Sequence, residues 1–167
     1  AGKARRRIGR VMKIAAPNRV SRTYRQRLVA APARVFELLC PVREADWIEG
    51  WDPSLVLSAS GLVEPDCVFV TASGGRESIW VVTRHEPERH RVEMIKVTPE
   101  VTVCKLTIQV DAAAGGSEAQ VTYEHTSLGP QGDAFVASFT EDHYRGVMRD
   151  WEARMNHYLR EGRALRL

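Results

Sequence analysis

Residues 133–161 read DAFVASFTEDHYRGVMRDWEARMNHYLRE, and this stretch decides the fold because it predicts one long amphipathic helix. Asp133 is the predicted N-cap, and Gly162 is the predicted residue after the last turn. Gly146 is the weakest position, since an interior glycine costs about 1 kcal/mol relative to alanine. The predicted apolar face repeats at helical spacing and consists of Val136, Thr140, Tyr144, Val147, Trp151, Met155 and Tyr158. At 1.5 Å per residue, such a helix would be roughly 40 Å long and would span a small domain.

The chain from Val20 to Leu128 consists mostly of predicted short strands separated by turns. One helix follows the first strand, opening at Pro32 and ending at Pro41, and a second short helix is predicted nearby. Short connections make neighbouring strands antiparallel. A long amphipathic helix must bury its apolar face, and the simplest way is to lie across a curved sheet. We therefore predict an α+β domain of six or seven antiparallel strands, with a hollow between the sheet and the helix.

Two stretches carry a resemblance to a known family. The first is AAPARVFELLCPVREADWIEGWD at residues 30–52, and the second is DHYRGVMRDWEARMNHYLREG at residues 142–162. With the order of elements, they resemble the START-like (SRPBCC) superfamily, which includes polyketide cyclases, aromatic oxygenase subunits and lipid-transfer domains. The resemblance covers about residues 20–163 and implies a helix-grip fold. Its members bind, transport or convert ligands, so it does not fix the function. No cofactor is expected, since nothing in the sequence matches the iron site or iron–sulfur domain of the oxygenases.

Positive charge is concentrated at the N-terminus. Residues 1–36 hold eleven of the 24 Lys and Arg and no acidic residue, which leaves 13 basic against 21 acidic residues in the rest of the chain, a net charge of −8. Residues 1–19 are therefore predicted to be a flexible basic arm that precedes a single domain at 20–163. Such an arm binds phosphate backbones or anionic lipid in some proteins and resembles a transit peptide in composition. A loose tail without a specific nucleic-acid partner is the favoured interpretation.

Several classes of protein are disfavoured by the sequence. No run reaches the ~18 to 20 apolar residues of a membrane span, and no apolar segment follows the basic N-terminus as in a secretory signal. The three cysteines fit neither a disulfide framework nor a zinc site. Phosphate-loop, dinucleotide and hydrolase-elbow motifs are missing from the sequence. We expect a cytoplasmic protein with buried, reduced thiols; a homodimer is left open.

Aromatic residues supply the candidate ligand contacts, because their rings suit an apolar pocket with a few polar anchors. Ordinary core packing is the alternative for each of them, and Trp80 is the least secure because its strand has apolar residues on both faces. The predicted ligand-binding residues are Trp47, Trp51, Phe69, Trp80, Tyr123, His125, Tyr144 and Trp151.

Two of these residues are also candidates for catalysis. His125 shares a strand face with Tyr123, so it could act as an acid or base, although a histidine held by one core hydrogen bond is commoner. Tyr144 lies at the centre of the helix face, where its hydroxyl could hold a ligand.

Other polar groups are weaker candidates. The acidic cluster Glu44, Asp46, Glu49 and Asp52 could place an acid or base at the pocket mouth, but a solvated surface is favoured. His85 and His90 flank a turn, and no metal site is expected there or elsewhere.

The favoured function is binding or carriage of a small hydrophobic ligand, lipid-like or polycyclic. The alternative is a polyketide cyclase or dehydratase-like enzyme that uses the same cavity, where catalysis would come mostly from holding a flexible chain in one conformation. A protein–protein adaptor is a third class, but it requires an exposed apolar patch that the sequence does not reveal.

Overall fold

The computed structural model describes residues 12–167, and within them seven antiparallel strands form a single sheet in the order β1-β7-β6-β5-β4-β3-β2. The strands are β1 (Arg19–Leu28), β2 (Leu55–Leu57), β3 (Val68–Ser73), β4 (Arg76–Glu86), β5 (Arg91–Thr98), β6 (Thr102–Ala113) and β7 (Gly116–Ser127). The α-helices are α1 (Pro32–Glu37), α2 (Glu44–Trp47), α3 (Pro130–Ser138) and α4 (Glu141–Glu161). The predicted α+β helix-grip fold is confirmed, with two short helices after the first strand and a long helix at the C-terminus.

The prediction of one continuous helix over residues 133–161 was wrong. Two helices, α3 and α4, occupy this region and are separated at Phe139 and Thr140. The backbone of Phe139 leaves the helical conformation, with φ −81° and ψ 62°. The side chain of Thr140 then accepts a hydrogen bond of 3.2 Å from the backbone N–H of His143 and caps α4. The predicted N-cap Asp133 therefore lies inside α3, whereas Gly162 ends α4 with a left-handed φ of +70°, as predicted.

The break also changes the buried face of the long helix. Val147, predicted to face the sheet, is 47% exposed, whereas the adjacent Met148 is only 2% exposed. Tyr144 and Met155 are buried as predicted. Because α4 begins anew at Thr140, the positions of α4 that face the sheet do not continue the helical spacing of α3. Gly146 lies within α4 without interrupting it.

Helix α4 is held against the edge strand β1 by polar contacts as well as by packing. The side chain of Asn156 donates to the carbonyl of Arg27 at 2.9 Å and accepts from the backbone N–H of Val29 at 3.0 Å. Gln26 donates to the carbonyl of Met148 at 3.2 Å. The Asn156 bonds occupy backbone groups at and just after the edge strand β1, and the Gln26 bond occupies a carbonyl of α4, so that α4 is held to this edge of the sheet.

The predicted basic arm falls mostly outside the described residues, since 1–11 are not covered. Residues 12–19 are exposed. Among the described residues, Asn18 is the first that forms hydrogen bonds with the body: its carbonyl accepts from the N–H of Ser127 at 2.9 Å, and its side chain donates to Asp133 at 2.8 Å. The separation of arm and domain at residue 19 stays a prediction.

Candidate ligand site

A cavity of about 110 Å³ lies between the concave face of the sheet and helices α2 and α4. Strand parity builds it: alternate residues of β3 to β7 point inward, and apolar side chains occupy those positions. Its lining residues are Glu44, Ile48, Trp51, Phe69, Trp80, Met94, Leu106, Ile108, Tyr123 and Trp151. The cavity is thus mostly aromatic and aliphatic, with two polar groups.

The aromatic wall is held in place by contacts between its own rings. Phe69 and Trp80 are cross-strand neighbours whose rings stack at 5.2 Å between centroids, with planes 10° apart. The indole N–H of Trp80 donates to Thr71 Oγ1 at 2.9 Å, and that of Trp51 donates to the carbonyl of Pro41 at 2.7 Å. Because both indole N–H groups are already bonded, the two rings offer an apolar surface to the cavity.

The carboxyl group of Glu44 is the most unusual polar group at the cavity. Glu44 begins α2 and keeps part of its residue surface accessible, yet its carboxyl is surrounded by protein, and this burial raises its pKa to about 8. No neighbouring charge or hydrogen bond from the described residues contributes to the shift. At neutral pH the carboxyl is therefore mostly protonated, so it can donate a hydrogen bond to a ligand oxygen or act as a general acid.

Tyr123 is the second polar group of the lining. Burial raises the pKa of its phenol well above the usual value, with smaller contributions from Cys104, Tyr144 and Glu44. The phenol therefore stays neutral and can donate or accept a hydrogen bond. Glu44 and Tyr123 together give the cavity two neutral groups that match a carbonyl or hydroxyl oxygen.

His125 lies outside the cavity lining. It follows Tyr123 by two residues and lies on the same face of β7. It is 5% exposed, and its ring contacts Phe135 and Phe139 at 4.7 and 4.5 Å between centroids. Burial, and secondarily the charge of Lys96, lowers its pKa to about 4. The imidazole is therefore neutral near pH 7 and does not reach the cavity, so a role as acid or base on a ligand there is disfavoured.

Tyr144 and Trp47 are also placed differently from what the sequence predicted. The hydroxyl of Tyr144 donates to the carbonyl of Val121 at 2.5 Å, and the indole N–H of Trp47 donates to the carbonyl of Leu38 at 3.0 Å. Both are fully buried, and Trp47 packs on Trp151 at 5.6 Å. Of the eight predicted ligand-binding residues, the cavity brings together Trp51, Phe69, Trp80, Tyr123 and Trp151, and leaves out Trp47, His125 and Tyr144.

Glu44 was underestimated from the sequence, where the acidic cluster was assigned to solvent. A signal was present, because Glu44 precedes Ile48 by four residues and Trp51 by seven, which is the spacing of one helical face. All three residues line the cavity. Asp46 and Glu49 are exposed, as the sequence interpretation had it.

A second hollow of about 260 Å³ lies between α1 and the turn joining β4 to β5. Its lining includes Phe36, Cys40, Leu62, His85 and His90, and the ring of His85 stacks on Phe36 at 5.3 Å. Although larger, it is an open groove with charged residues such as Glu37 on its rim. The inner cavity is the better candidate because it is more enclosed, lies between the sheet and α4, and carries Glu44 and Tyr123 on an otherwise apolar wall.

Between residues 12 and 167, no three His, Cys, Asp or Glu side chains converge as a metal site requires. The three cysteines are buried and free. No helix in this part of the chain is long and apolar enough to cross a membrane.

Comparison with known proteins gives likeness in structure only. No family model and no curated sequence matches the chain. Among solved structures, a norcoclaurine synthase point mutant from Thalictrum flavum in complex with a transition-state analogue has a TM-score of 0.63 at 11% identity, covering 89% of this chain and 100% of the other. Ara h 8.0201 has a TM-score of 0.57 at 12% identity, covering 84% and 97%.

DynU16, a protein of the dynemicin biosynthetic locus, has a TM-score of 0.56 at 19% identity. The match covers 87% of this chain but 48% of DynU16, so the chain spans about half the length of that protein. At these identities the likeness shows a shared fold and nothing finer. The chain thus shares the helix-grip fold of these solved structures.

Proposed function

We propose that this protein binds a small, mostly apolar ligand in the cavity between the sheet and α4, with a carbonyl or hydroxyl oxygen of the ligand held by Glu44 and Tyr123. The observation that carries the proposal is the pair of neutral polar groups in an otherwise apolar cavity. Neither side chain makes a hydrogen bond to another described residue, so both can bond to a ligand oxygen. An ordinary apolar core would not contain such a pair.

The size of the cavity narrows the class of ligand. Its volume of about 110 Å³ lies below the ~300 Å³ at which drug-sized pockets begin, so a single ring or a short branched chain fits without rearrangement. A polycyclic or lipid-like ligand requires part of the lining to move outward. Ile48 and Trp51 belong to the short segment around α2 rather than to the sheet, so they are the side chains that would move.

The test is a calorimetric screen of small aromatic and alicyclic ketones, alcohols and acids against the wild-type protein and two matched variants. Leu106→Trp fills the cavity from β6, whereas Thr107→Trp adds the same ring to the opposite face of that strand. Binding that survives in Thr107→Trp and disappears in Leu106→Trp supports the proposal. Equal binding by both folded variants would place the ligand elsewhere, and the groove beside α1 would be tested next.

An enzyme of the polyketide-cyclase type is the second candidate, and the raised pKa of Glu44 favours it. General acids work best when their pKa lies near the working pH, and a value of about 8 meets this condition. Glu44 would protonate a carbonyl oxygen of a flexible poly-carbonyl chain while the aromatic walls hold the chain folded. This reading needs the lining to open, since such a chain exceeds the cavity volume.

Glu44→Gln separates the two candidates, because glutamine keeps a hydrogen-bond donor but cannot transfer a proton. In a binder, affinity changes little and no product forms from a linear poly-carbonyl substrate in either protein. In an enzyme, turnover falls by roughly 10² or more, the usual size of a general-acid contribution, while affinity is retained. The mass of the product after incubation, read by chromatography, decides between them.

A further inference from the structure

Lys96 lies on the concave face of the sheet, next to the cavity. Along β5 the inward positions are Val92, Met94 and Lys96, and Met94 lines the cavity. Two residues along a strand span about 6.6–6.8 Å, so the Lys96 backbone lies one such step from the cavity wall. Its flexible side chain, with four carbons, can carry the ammonium over that distance.

The ammonium of Lys96 contacts an aromatic ring of the cavity wall. Its Nζ lies 4.9 Å from the centroid of the Trp80 ring, within the range of a cation–π contact. In the strand register Trp80 stands between Phe69 and Lys96, so the three side chains form a row. The cation therefore covers the side of Trp80 away from Phe69.

No carboxylate of the described residues pairs with Lys96. The ion pairs of residues 12–167 involve other cations, including Lys105 on the outer face of β6. Burial lowers the pKa of Lys96, which only the Cys104 thiol opposes. A half-buried cation without an anion is unfavourable for the fold, and a bound anion would offset that cost.

The same cross-strand row contains a second group without a partner. Lys96 pairs in register with Cys104, and Cys104 with His125. His125 is 5% exposed, and its Nδ1 atom is buried without a hydrogen bond. Its Nε2 atom lies 4.0 Å from Cys104 Sγ. His125 thus stands two strands from Lys96 in this row, with Cys104 between them, and Lys96 remains the cation next to the cavity.

From this arrangement we propose that the ligand is a small aromatic carboxylic acid, with its ring in the cavity and its carboxylate paired with the ammonium of Lys96. This proposal rests on the proposed binding function and names its ligand class. One ammonium without a carboxylate matches one negative charge, which suits a carboxylate better than a phosphate dianion. Glu44 and Tyr123 remain available for an oxygen elsewhere on the ring.

The experiment compares acids with amides of the same shape. Benzoate, cinnamate and naphthoate are titrated into the wild-type protein beside benzamide, cinnamamide and naphthamide, with Trp fluorescence and calorimetry as readouts. The carboxylates should bind at least about tenfold more tightly than their amides, since hydrogen bonds to charged groups are among the stronger ones. Amides that bind as well as the acids would overturn the proposed ligand class while leaving the cavity function intact. Binding of neither series would count against both.

Two lysine variants complete the test. Lys96→Met keeps the apolar stem and removes the charge, and Lys105→Met does the same on the exposed outer face of β6. Lys96→Met should lower the affinity for the acids by about tenfold or more and leave that for the amides within about threefold. Retained amide binding also shows that the variant is folded. An unchanged acid affinity in Lys96→Met, or an equal loss in Lys105→Met, would overturn the proposal.

Discussion

The phenolic hydroxyl of Tyr144 on α4 donates a 2.5 Å hydrogen bond to the backbone carbonyl of Val121 on β7. Both residues are buried, and the ring of Tyr144 also packs against Phe139, which lies in the break between α3 and α4. The bond ties the long helix to β7, the strand next to the edge strand β1. It also uses the hydroxyl that the sequence had offered to a ligand, so the residue contributes to the fold rather than to the cavity.

Tyr144→Phe should therefore reduce stability without changing ligand binding. Removing one partner of a buried hydrogen bond costs about 1–2 kcal/mol, because the carbonyl of Val121 loses an interaction it cannot replace with water. Urea unfolding monitored by circular dichroism measures this loss, and titration with any compound found to bind measures affinity. A variant of unchanged stability and tenfold weaker binding would return Tyr144 to the ligand site.

The raised pKa of Glu44 predicts that this residue makes the protein less stable as pH rises. The pKa of Glu44 in the folded protein, about 8, lies above the ordinary value of 4.5. The contribution of its carboxyl to the free energy of unfolding is therefore complete below pH 4.5 and is lost as pH rises to 8. Across this interval the unfolding free energy of the wild type should fall relative to Glu44→Gln, by at most about 1.4 kcal/mol per pH unit. Chemical unfolding at several pH values measures the difference.

The control for this profile is Asp46→Asn, because Asp46 lies on the exposed side of the same short helix. It should reproduce the wild-type dependence on pH. Parallel curves for the wild type and Glu44→Gln would mean that the Glu44 carboxyl reaches water, and the neutral donor assigned to the cavity would then be lost.

Strand parity made much of the fold predictable. Simple alternation along β6 predicts that Cys104, Leu106 and Ile108 point inward, as they do in the structure. Two of them, Leu106 and Ile108, line the cavity. The helix break did not follow from periodicity, because the apolar stripe continues through Thr140. A local signal was present in Thr140 and the acid Glu141, which suit an N-cap and first turn.

The candidate site was harder to predict because it depends on distances between elements. Sequence spacing can place Trp80 and Tyr123 on inward faces, but it cannot show which face of α2 meets them. It also cannot tell a hydroxyl bonded to the backbone, as in Tyr144, from one that is free to meet a ligand, as in Tyr123. Lys96 was overlooked because a lone lysine in a strand is normally a solvated residue.

Two glycines near the C-terminus should respond to alanine in opposite directions. A Cβ on Gly132 would overlap the carbonyl oxygen of Val101 and lie 2.6 Å from Ser127 Oγ, so Gly132→Ala should destabilise by more than about 2 kcal/mol. Gly146 meets nothing within 4 Å on the exposed face of α4, so Gly146→Ala should stabilise by about 0.5–1 kcal/mol. Thermal unfolding of both variants measures this. A tolerated Gly132→Ala would show that α3 does not pack closely on the sheet.

Removal of residues 1–17 should leave the fold nearly intact. The described part of this segment is exposed, and Asn18 is the first described residue that forms hydrogen bonds with the body. We expect the unfolding free energy to change by less than about 2 kcal/mol, which is the scale of one fully buried aliphatic side chain. Asn18→Ala in the full chain is the comparison, since it removes the bond to Asp133 and keeps the arm. A larger loss on truncation than in that variant would show that the arm belongs to the core.

The lowered pKa of His125 predicts the opposite effect, namely that this residue makes the protein more stable as pH rises. Its folded pKa of about 4 lies below the ordinary 6.5, so its contribution is complete above pH 6.5 and is lost as pH falls to 4. Between pH 4.5 and 6.5 the two residues therefore oppose each other. The wild-type profile should be flatter there than that of Glu44→Gln, which should gain stability as pH rises. Adding His125→Phe to Glu44→Gln should remove this gain. Comparison of NMR spectra with and without His125→Phe identifies the His125 imidazole resonance, which should titrate near pH 4 in the wild type. A midpoint near 6.5 would show that the His125 ring is accessible to water, and the buried, neutral state assigned to it would be wrong.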